Sequence, residues 1–229
     1  MIDFTFFGKN CHIDKELKDR ENLNQKLQEL DINPSHLLFL NQIHGNHVIT
    51  ISNPQQIYGT QNLPKADGIV TNQKNIAIGI ITADCVPVVF WDSSTNIIGA
   101  CHAGWRGAKS GIIHNTVSAM KSLGASEIRA SIGPAIQQYS YEVSQDFLDD
   151  FLNENITNKK FFRVSKNADK WLFDLPNYVF EKISNSGVEE IDNCEIDTYT
   201  NSEKYFSYRR STHAKDDAMG RNISIIIAK

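Results

Sequence analysis

The stretch from Ile76 to Ala103 constrains the fold more than any other part of the chain. It holds IAIGIITA, VPVVFWD and IIGACHA, three apolar runs with few polar residues inside them. A strand with one wet face alternates apolar and polar residues, so runs without that alternation belong to strands covered on both faces. These segments are therefore expected at the centre of a sheet. Between the second and third lies SSTN, Ser93 to Asn96, which suits a hairpin turn. Pairing outward from that turn carries Cys85, where one strand begins, and His102, where its partner ends, to the same end of the ribbon. Cys101 then points to the opposite face, into the core, and is excluded as a ligand.

Around this centre the pattern predicts a strand at Ile2 to Phe7 and a polar helix from Asp14 to Leu30 with Leu17, Leu23, Leu27 and Leu30 as its apolar positions. Short strands are expected at Leu37 to Leu40, His47 to Ser52 and Gly68 to Thr71, with a polar loop from Asn53 to Asp67. An amphipathic helix is expected from about Lys109 to Leu123, stopped by Gly124. A strand at Ile128 to Gly133, a helix at Gln145 to Asn153, a helix capped by Asp174 and a closing strand at Asn222 to Ala228 complete the series. Arg209 and Arg210 are taken to lie in a strand. No repeat, low-complexity tract or Gly/Ser/Pro-rich linker divides the chain. The expectation is an α+β fold, a single-domain αβ sandwich over residues 1–229 with a mixed central β-sheet flanked by helices.

Composition narrows the function classes. With 229 residues, 41% of them hydrophobic, the chain can bury a full core, and a net charge of -4 gives no general attraction to nucleic acid or anionic membrane. Neither partner is expected, and a monomer is the default. MIDFTFFGKN lacks the pattern of a secretory signal and no later segment approaches a membrane span, so a cytoplasmic location is expected. Cys11, Cys85, Cys101 and Cys194 are scattered without a CxxC pair, which excludes a zinc ribbon and leaves free thiols or metal ligands.

Two histidines and a thiolate make a catalytic zinc site when they converge, since such sites use three protein ligands and keep a fourth position open. Cys85 and His102 share a ribbon end, and His44, in NQIHGNH, follows a short strand and precedes a glycine. Against this stands a plainer reading in which Cys85 is a small buried hydrophobe and each histidine is structural. The turn Gly104 to Gly107 with Arg106 can receive a phosphate, or it can simply turn the chain while Arg106 pairs with a carboxylate. Arg209 or Arg210 can supplement it, one of the two at most if they lie in a strand. Asp84 can orient a histidine or act as a base, or cap a turn. Gln42 can order the His44 loop or touch a substrate base, and Asp67 shapes a turn. His12, His36, His47, His114 and His213 are read as surface or structural residues.

The motifs NQIHG, ADGIVT, TADCVPVVF, HAGWRG, IGPAI with YEV, YRR and GRN occur in this order. Together they resemble the laccase-domain family, also called multicopper-polyphenol-oxidase-like proteins or YfiH-like peptidoglycan editing factors, from about Leu37 to the C-terminus. The resemblance implies that His44, Cys85 and His102 bind a metal; the donor set suits zinc, with copper as the alternative because it outranks zinc in affinity at such ligands. It also implies phosphorolysis of adenosine, inosine and methylthioadenosine, with some adenosine deamination, so the partners expected are a small nucleoside and phosphate. The N-terminal segment FFGKNCHIDKELKDRENL looks shortened against the family pattern, and Leu23 stands where an arginine follows Glu and Asn.

Three rival functions remain open at this level. The chain has no HxH pair, which weighs against a copper-dependent polyphenol oxidase. A metal-free cysteine hydrolase would use Cys85 as nucleophile and His102 as base. An editing factor for a peptidoglycan precursor is the third. The HxE and PCxxC signature of cytidine deaminases is absent.

Overall fold

The computed structural model describes residues 1–11, 21–53, 63–216 and 220–229. In chain order its elements are β1 (Ile2–Phe7), α1 (Glu21–Glu29), β2 (Leu37–Leu38), β3 (Val48–Ile51), β4 (Gly68–Thr71), β5 (Ala77–Thr82), β6 (Val86–Asp92) and β7 (Ile97–Ala103). There follow α2 (Trp105–Ser110), α3 (Ile112–Ser122), β8 (Arg129–Ile132), β9 (Glu142–Ser144), α4 (Gln145–Glu154), β10 (Phe162–Val164), β11 (Lys170–Phe173), α5 (Leu175–Asn185), β12 (Glu190–Asn193), α6 (Tyr208–Ala214) and β13 (Asn222–Ala228). The predicted helix positions Asp14 to Arg20, with Leu17, and His12 lie outside the described residues, as does most of the loop after Asn53.

The α+β sandwich has mixed sheets flanked by helices, and its centre is a pair of sheets. One has the order β12-β8-β6-β7-β4-β3 and the other β1-β13-β5-β2. Parallel pairs, β3 with β4, β8 with β12 and β2 with β5, join otherwise antiparallel ladders. The unalternating runs now have their reason. On β6 and β7, Val88, Phe90, Ile97 and Cys101 face a core shared with Ile112, Val117 and Met120 of α3 and Val179 and Ile183 of α5. Their neighbours Val89, Ile98 and Ala100 face Ile78, Ile80 and Ile226 of the second sheet. That second sheet turns its other side, with Ala77, Ile223 and Ile225, toward Leu23 and Leu27 of α1. Every face of these strands is dry, so no position demands a polar residue. A third sheet, β10-β11-β9, packs with α4 and adds Val143, Phe162 and Phe173 to the core that β6 and β7 share with α3 and α5.

Two expectations are corrected. The helix predicted from Lys109 begins at Trp105 and is broken in two at Gly111, whose φ of 99° is open to glycine and costly to other residues. Arg209 and Arg210 lie in a helix, α6, because Ser207 caps it: its hydroxyl accepts from the Arg210 amide at 3.1 Å. Asp174 caps α5 as predicted. Among the described residues no helix is long and apolar enough to cross a membrane.

Candidate metal centre

The β6–β7 register sets Pro87 opposite His102 and Val86 opposite Ala103, so Cys85 and His102 meet at the open end of the hairpin. His44 arrives from the loop before β3. Its Nε2 lies 3.9 Å from Cys85 Sγ, and its ring stands 4.6 Å from the His102 ring at an interplanar angle of 83°. One ligand atom from each residue falls within 4.8 Å of the others, and this is the one such His/Cys/carboxylate cluster among the described residues. His102 is buried, Cys85 half-buried and His44 exposed, so the cluster opens to solvent on one side. The donor set fits a metal. Around a tetrahedral zinc, nitrogen and sulfur donors sit about 3.6 Å apart, close to the spacing found. Gly104 keeps the space behind them, since a Cβ there would come within 3.1 Å of both Cys85 Sγ and His44 Cδ2.

Asp67 braces two of the three candidate ligands. His102 Nδ1 donates to its Oδ1 at 2.7 Å, which leaves Nε2 to face the cluster. The same carboxylate accepts from the amides of Ile43 (3.1 Å), His44 (2.9 Å) and Gly45 (2.7 Å). Those bonds hold His44 at a φ of 60°, a conformation that otherwise strains a residue with a side chain. The backbone joins in, as Asp67 O accepts from the His102 amide at 2.7 Å. Sequence reasoning saw Asp67 as a turn residue. It holds the turn of a loop more than twenty positions away, and Ala-Asp-Gly carried no signal for that partner.

Burial pushes the Cys85 thiol up, but the His102 imidazole, by charge and hydrogen bond, and to a lesser extent His44, bring it down to about 6. Burial likewise works against a charged His102, while Cys85 and Asp67 hold its proton and raise it to about 9. Burial also opposes the charge on Asp67, yet His102 and the loop amides keep that carboxyl below its ordinary range. Cys85, His102 and Asp67 thus each favour the charged form of the next, thiolate beside protonated imidazole beside carboxylate. The thiolate is the form that binds metals and attacks electrophiles. Buried Cys101, pushed far up, packs on the other side of β7 by Thr116.

Arg106 is exposed and lies over the Trp105 ring, 4.4 Å from its centroid. Asp84 stands at a φ of 89° beside Cys85, but its oxygens accept from Thr198 Oγ1 (2.7 Å) and the Arg209 amide (2.6 Å). The carboxylate bonded to a histidine of the cluster is Asp67. Gln42 clasps the backbone of Ile81, donating to its carbonyl at 2.7 Å and accepting from its amide at 2.9 Å. Arg210 gives its guanidinium to the carbonyls of Thr198, Tyr199 and Tyr205 at 2.6, 2.8 and 2.5 Å. Arg209, the other arginine of YRR, donates to Glu142 O at 2.7 Å and lies over the Tyr141 ring. His47 is exposed, with Nδ1 3.2 Å from Lys65 O. His114 and His213 are exposed and sit beside Ser118 and Tyr199.

Stacked sheets between helices, with a His-Cys-His cluster at the open end of a central hairpin, define an α+β protein organised around one candidate metal site. The chain belongs to the multi-copper polyphenol oxidoreductase laccase family, whose model matches residues 7–229. It is 42% identical over 193 residues to a purine nucleoside phosphorylase of Rickettsia conorii, covering 84% of this chain and 78% of that protein. To the purine nucleoside phosphorylase YfiH of Escherichia coli it is 32% identical over 193 residues, covering 84% and 74%. Among solved structures, the hypothetical protein YfiH of Bacillus licheniformis superimposes with a TM-score of 0.82 at 26% identity, covering 93% of this chain and 82% of that one.

Proposed function

We propose that the protein is a metal-dependent purine nucleoside phosphorylase with zinc held by His44, Cys85 and His102. The observation that carries this reading is the three-ligand cluster, half open to solvent and braced by Asp67. The relatives named purine nucleoside phosphorylase support it. In the reaction an oxygen of phosphate bonds to C1′ of the nucleoside while the C1′–N bond to the purine breaks. The products are ribose 1-phosphate, or its methylthio counterpart from methylthioadenosine, and a free base that takes up a proton. A bound zinc would supply Lewis-acid polarisation of a substrate oxygen.

The chain's own residues do the rest. Arg106, exposed and held over the Trp105 ring, offers its guanidinium donors to the phosphate. Asp67 keeps His102 in the tautomer whose Nε2 can ligate. Asp84 and Gln42 act by position, the first fixing the start of α6 and the second tying the His44 loop to β5. Inosine, adenosine and methylthioadenosine are the proposed substrates, with adenosine deamination as a side activity, and copper as the alternative metal. A single ligand trio among the described residues argues against a multicopper oxidase. We further propose a cytoplasmic monomer of one domain.

A second reading has its own observation. Cys85, His102 and Asp67 stand in the order of a Cys-His-Asp triad, with the thiol brought down to about 6. Assay of inosine and adenosine with phosphate separates the two. Product formation that is lost on chelation and restored by zinc is the result expected. No turnover in zinc-loaded protein overturns the phosphorylase reading, and a chelator-resistant hydrolysis would favour the triad.

A further inference from the structure

Two arginines near the cluster are built in the same way. Arg106 lies over the ring of Trp105 at 4.4 Å, and Arg209 lies over the ring of Tyr141 at 5.2 Å. Both rings pack against one residue, Phe147, with centroids 5.0 Å away for Trp105 and 6.3 Å for Tyr141. Tyr141 is pinned further by Phe173 at 5.8 Å. A guanidinium resting on a fixed ring loses little freedom when it binds, and its N–H groups fan out in the plane that suits an oxyanion. Neither guanidinium forms an ion pair with a carboxylate among the described residues, where Arg129 with Glu190 is the arginine ion pair. The carboxylate beside Arg209, that of Glu142, is engaged by Ser165 at 2.6 Å and Asn167 at 2.7 Å.

Arg209 is also tied to the metal centre. Its amide donates to Asp84 Oδ2 at 2.6 Å, and Asp84 directly precedes Cys85 in the chain. Its Nη1 donates to Glu142 O at 2.7 Å, which uses one edge of the fork and leaves the other. Tyr141 is half-buried, lies within electrostatic reach of Cys85, Arg209, Asp84 and Arg106, and its hydroxyl has no hydrogen-bond partner among the described residues. Burial keeps the phenol protonated, so it can donate.

We propose that Arg209 and the Tyr141 hydroxyl, facing Arg106, complete an oxyanion clamp at the mouth of the His44–Cys85–His102 cluster. Its ligand class is a tetrahedral oxyanion, inorganic phosphate in the first instance. The identity of that anion rests on the phosphorolysis reading; the clamp rests on the paired arginine stacks. Arg209 fills the role in which YRR suggested one arginine, whereas Arg210 is consumed by backbone carbonyls.

The test is calorimetric titration of the zinc-loaded protein with inorganic phosphate, alongside KM for phosphate and for inosine. Arg209→Met keeps the amide bond to Asp84, Tyr141→Phe keeps the ring, and Arg129→Met serves as a charge control on the far edge. Arg209→Met should weaken phosphate binding about tenfold or more and Tyr141→Phe about fivefold, because each removes a hydrogen bond to a charged group. KM for inosine and the behaviour of Arg129→Met should stay within about twofold. Wild-type phosphate affinity in both Arg209→Met and Tyr141→Phe, or no phosphate binding by the wild type, overturns the clamp. Arg209-dependent phosphate binding without turnover of any nucleoside supports the clamp while removing the phosphorylase reading.

Discussion

The two ends of the β6–β7 hairpin are each closed by a buried aspartate, and they serve opposite purposes. At the turn end, Asp92 accepts from Ser94 N and Oγ, Thr95 N, Ser126 N and Glu127 N at 2.6 to 3.2 Å. These partners, four backbone amides and one hydroxyl, are all neutral, and the amides staple the turn to the segment before β8. At the open end, Asp67 accepts from three loop amides and from the His102 ring. Three of its bonds build a loop; the fourth aims a candidate metal ligand. The same device, a dry carboxylate satisfied by several donors, stabilises at one end and preorganises at the other. What differs is whether a titratable side chain stands among the donors.

Replacement of Asp92 should therefore have the largest effect, and on stability alone. Asp92→Asn leaves buried amides ill-matched and should lower the unfolding free energy by about 2–3 kcal/mol, read by denaturant unfolding. Zinc affinity of the folded protein should not change; a loss would mean the two ends are not independent. The pH dependence sharpens the point. Burial alone would raise the Asp92 carboxyl, but the Ser94 hydroxyl and the amides of Ser94, Ser126 and Glu127 hold it well below the ordinary range. A carboxyl lower in the folded than in the unfolded chain stabilises above the unfolded value of about 4, and that contribution is lost as pH falls through the folded value. Wild-type stability should drop on acidification below about pH 4, and Asp92→Asn should drop less over the same window.

Asp67→Asn should come next in size and act on the candidate metal site as well as on the loop. Zinc affinity should fall about 10- to 100-fold, the usual cost of losing the acceptor behind a ligating histidine. Unchanged zinc affinity would reduce Asp67 to a second turn staple. Gly104→Ala is the smallest test. Its φ of -69° suits alanine, so the cost comes only from the new methyl against Cys85 and His44. A loss of zinc affinity of about three- to tenfold, with stability little changed, is expected.

The asymmetry also explains what the sequence could and could not reveal. The hairpin, its SSTN turn and the pairing of Cys85 with His102 at one end follow from local pattern, because strand period and turn length fix register. The β13 strand was legible for the same reason. His44 was not placeable by any local rule, since its position depends on Asp67, 23 residues away in sequence. Nor could the role of Asp67 be read, because its acceptor sites serve backbone amides, which every residue carries. Tyr205 to Arg210 mixes aromatic and polar residues as a strand would, yet Ser207 is a cap, and that serine was the available signal for α6. The second sheet was hidden because apolar runs report only that both faces are covered, not by what.

Metal binding at the open end of the hairpin is what gives the Asp67 network its purpose. Zinc titrated calorimetrically into metal-free wild-type protein and into Cys85→Ala tests this most directly. One equivalent per chain for the wild type, with affinity lower by at least about a hundredfold in the variant, is the predicted result. No zinc uptake by the wild type, or equal affinity in Cys85→Ala, would contradict it.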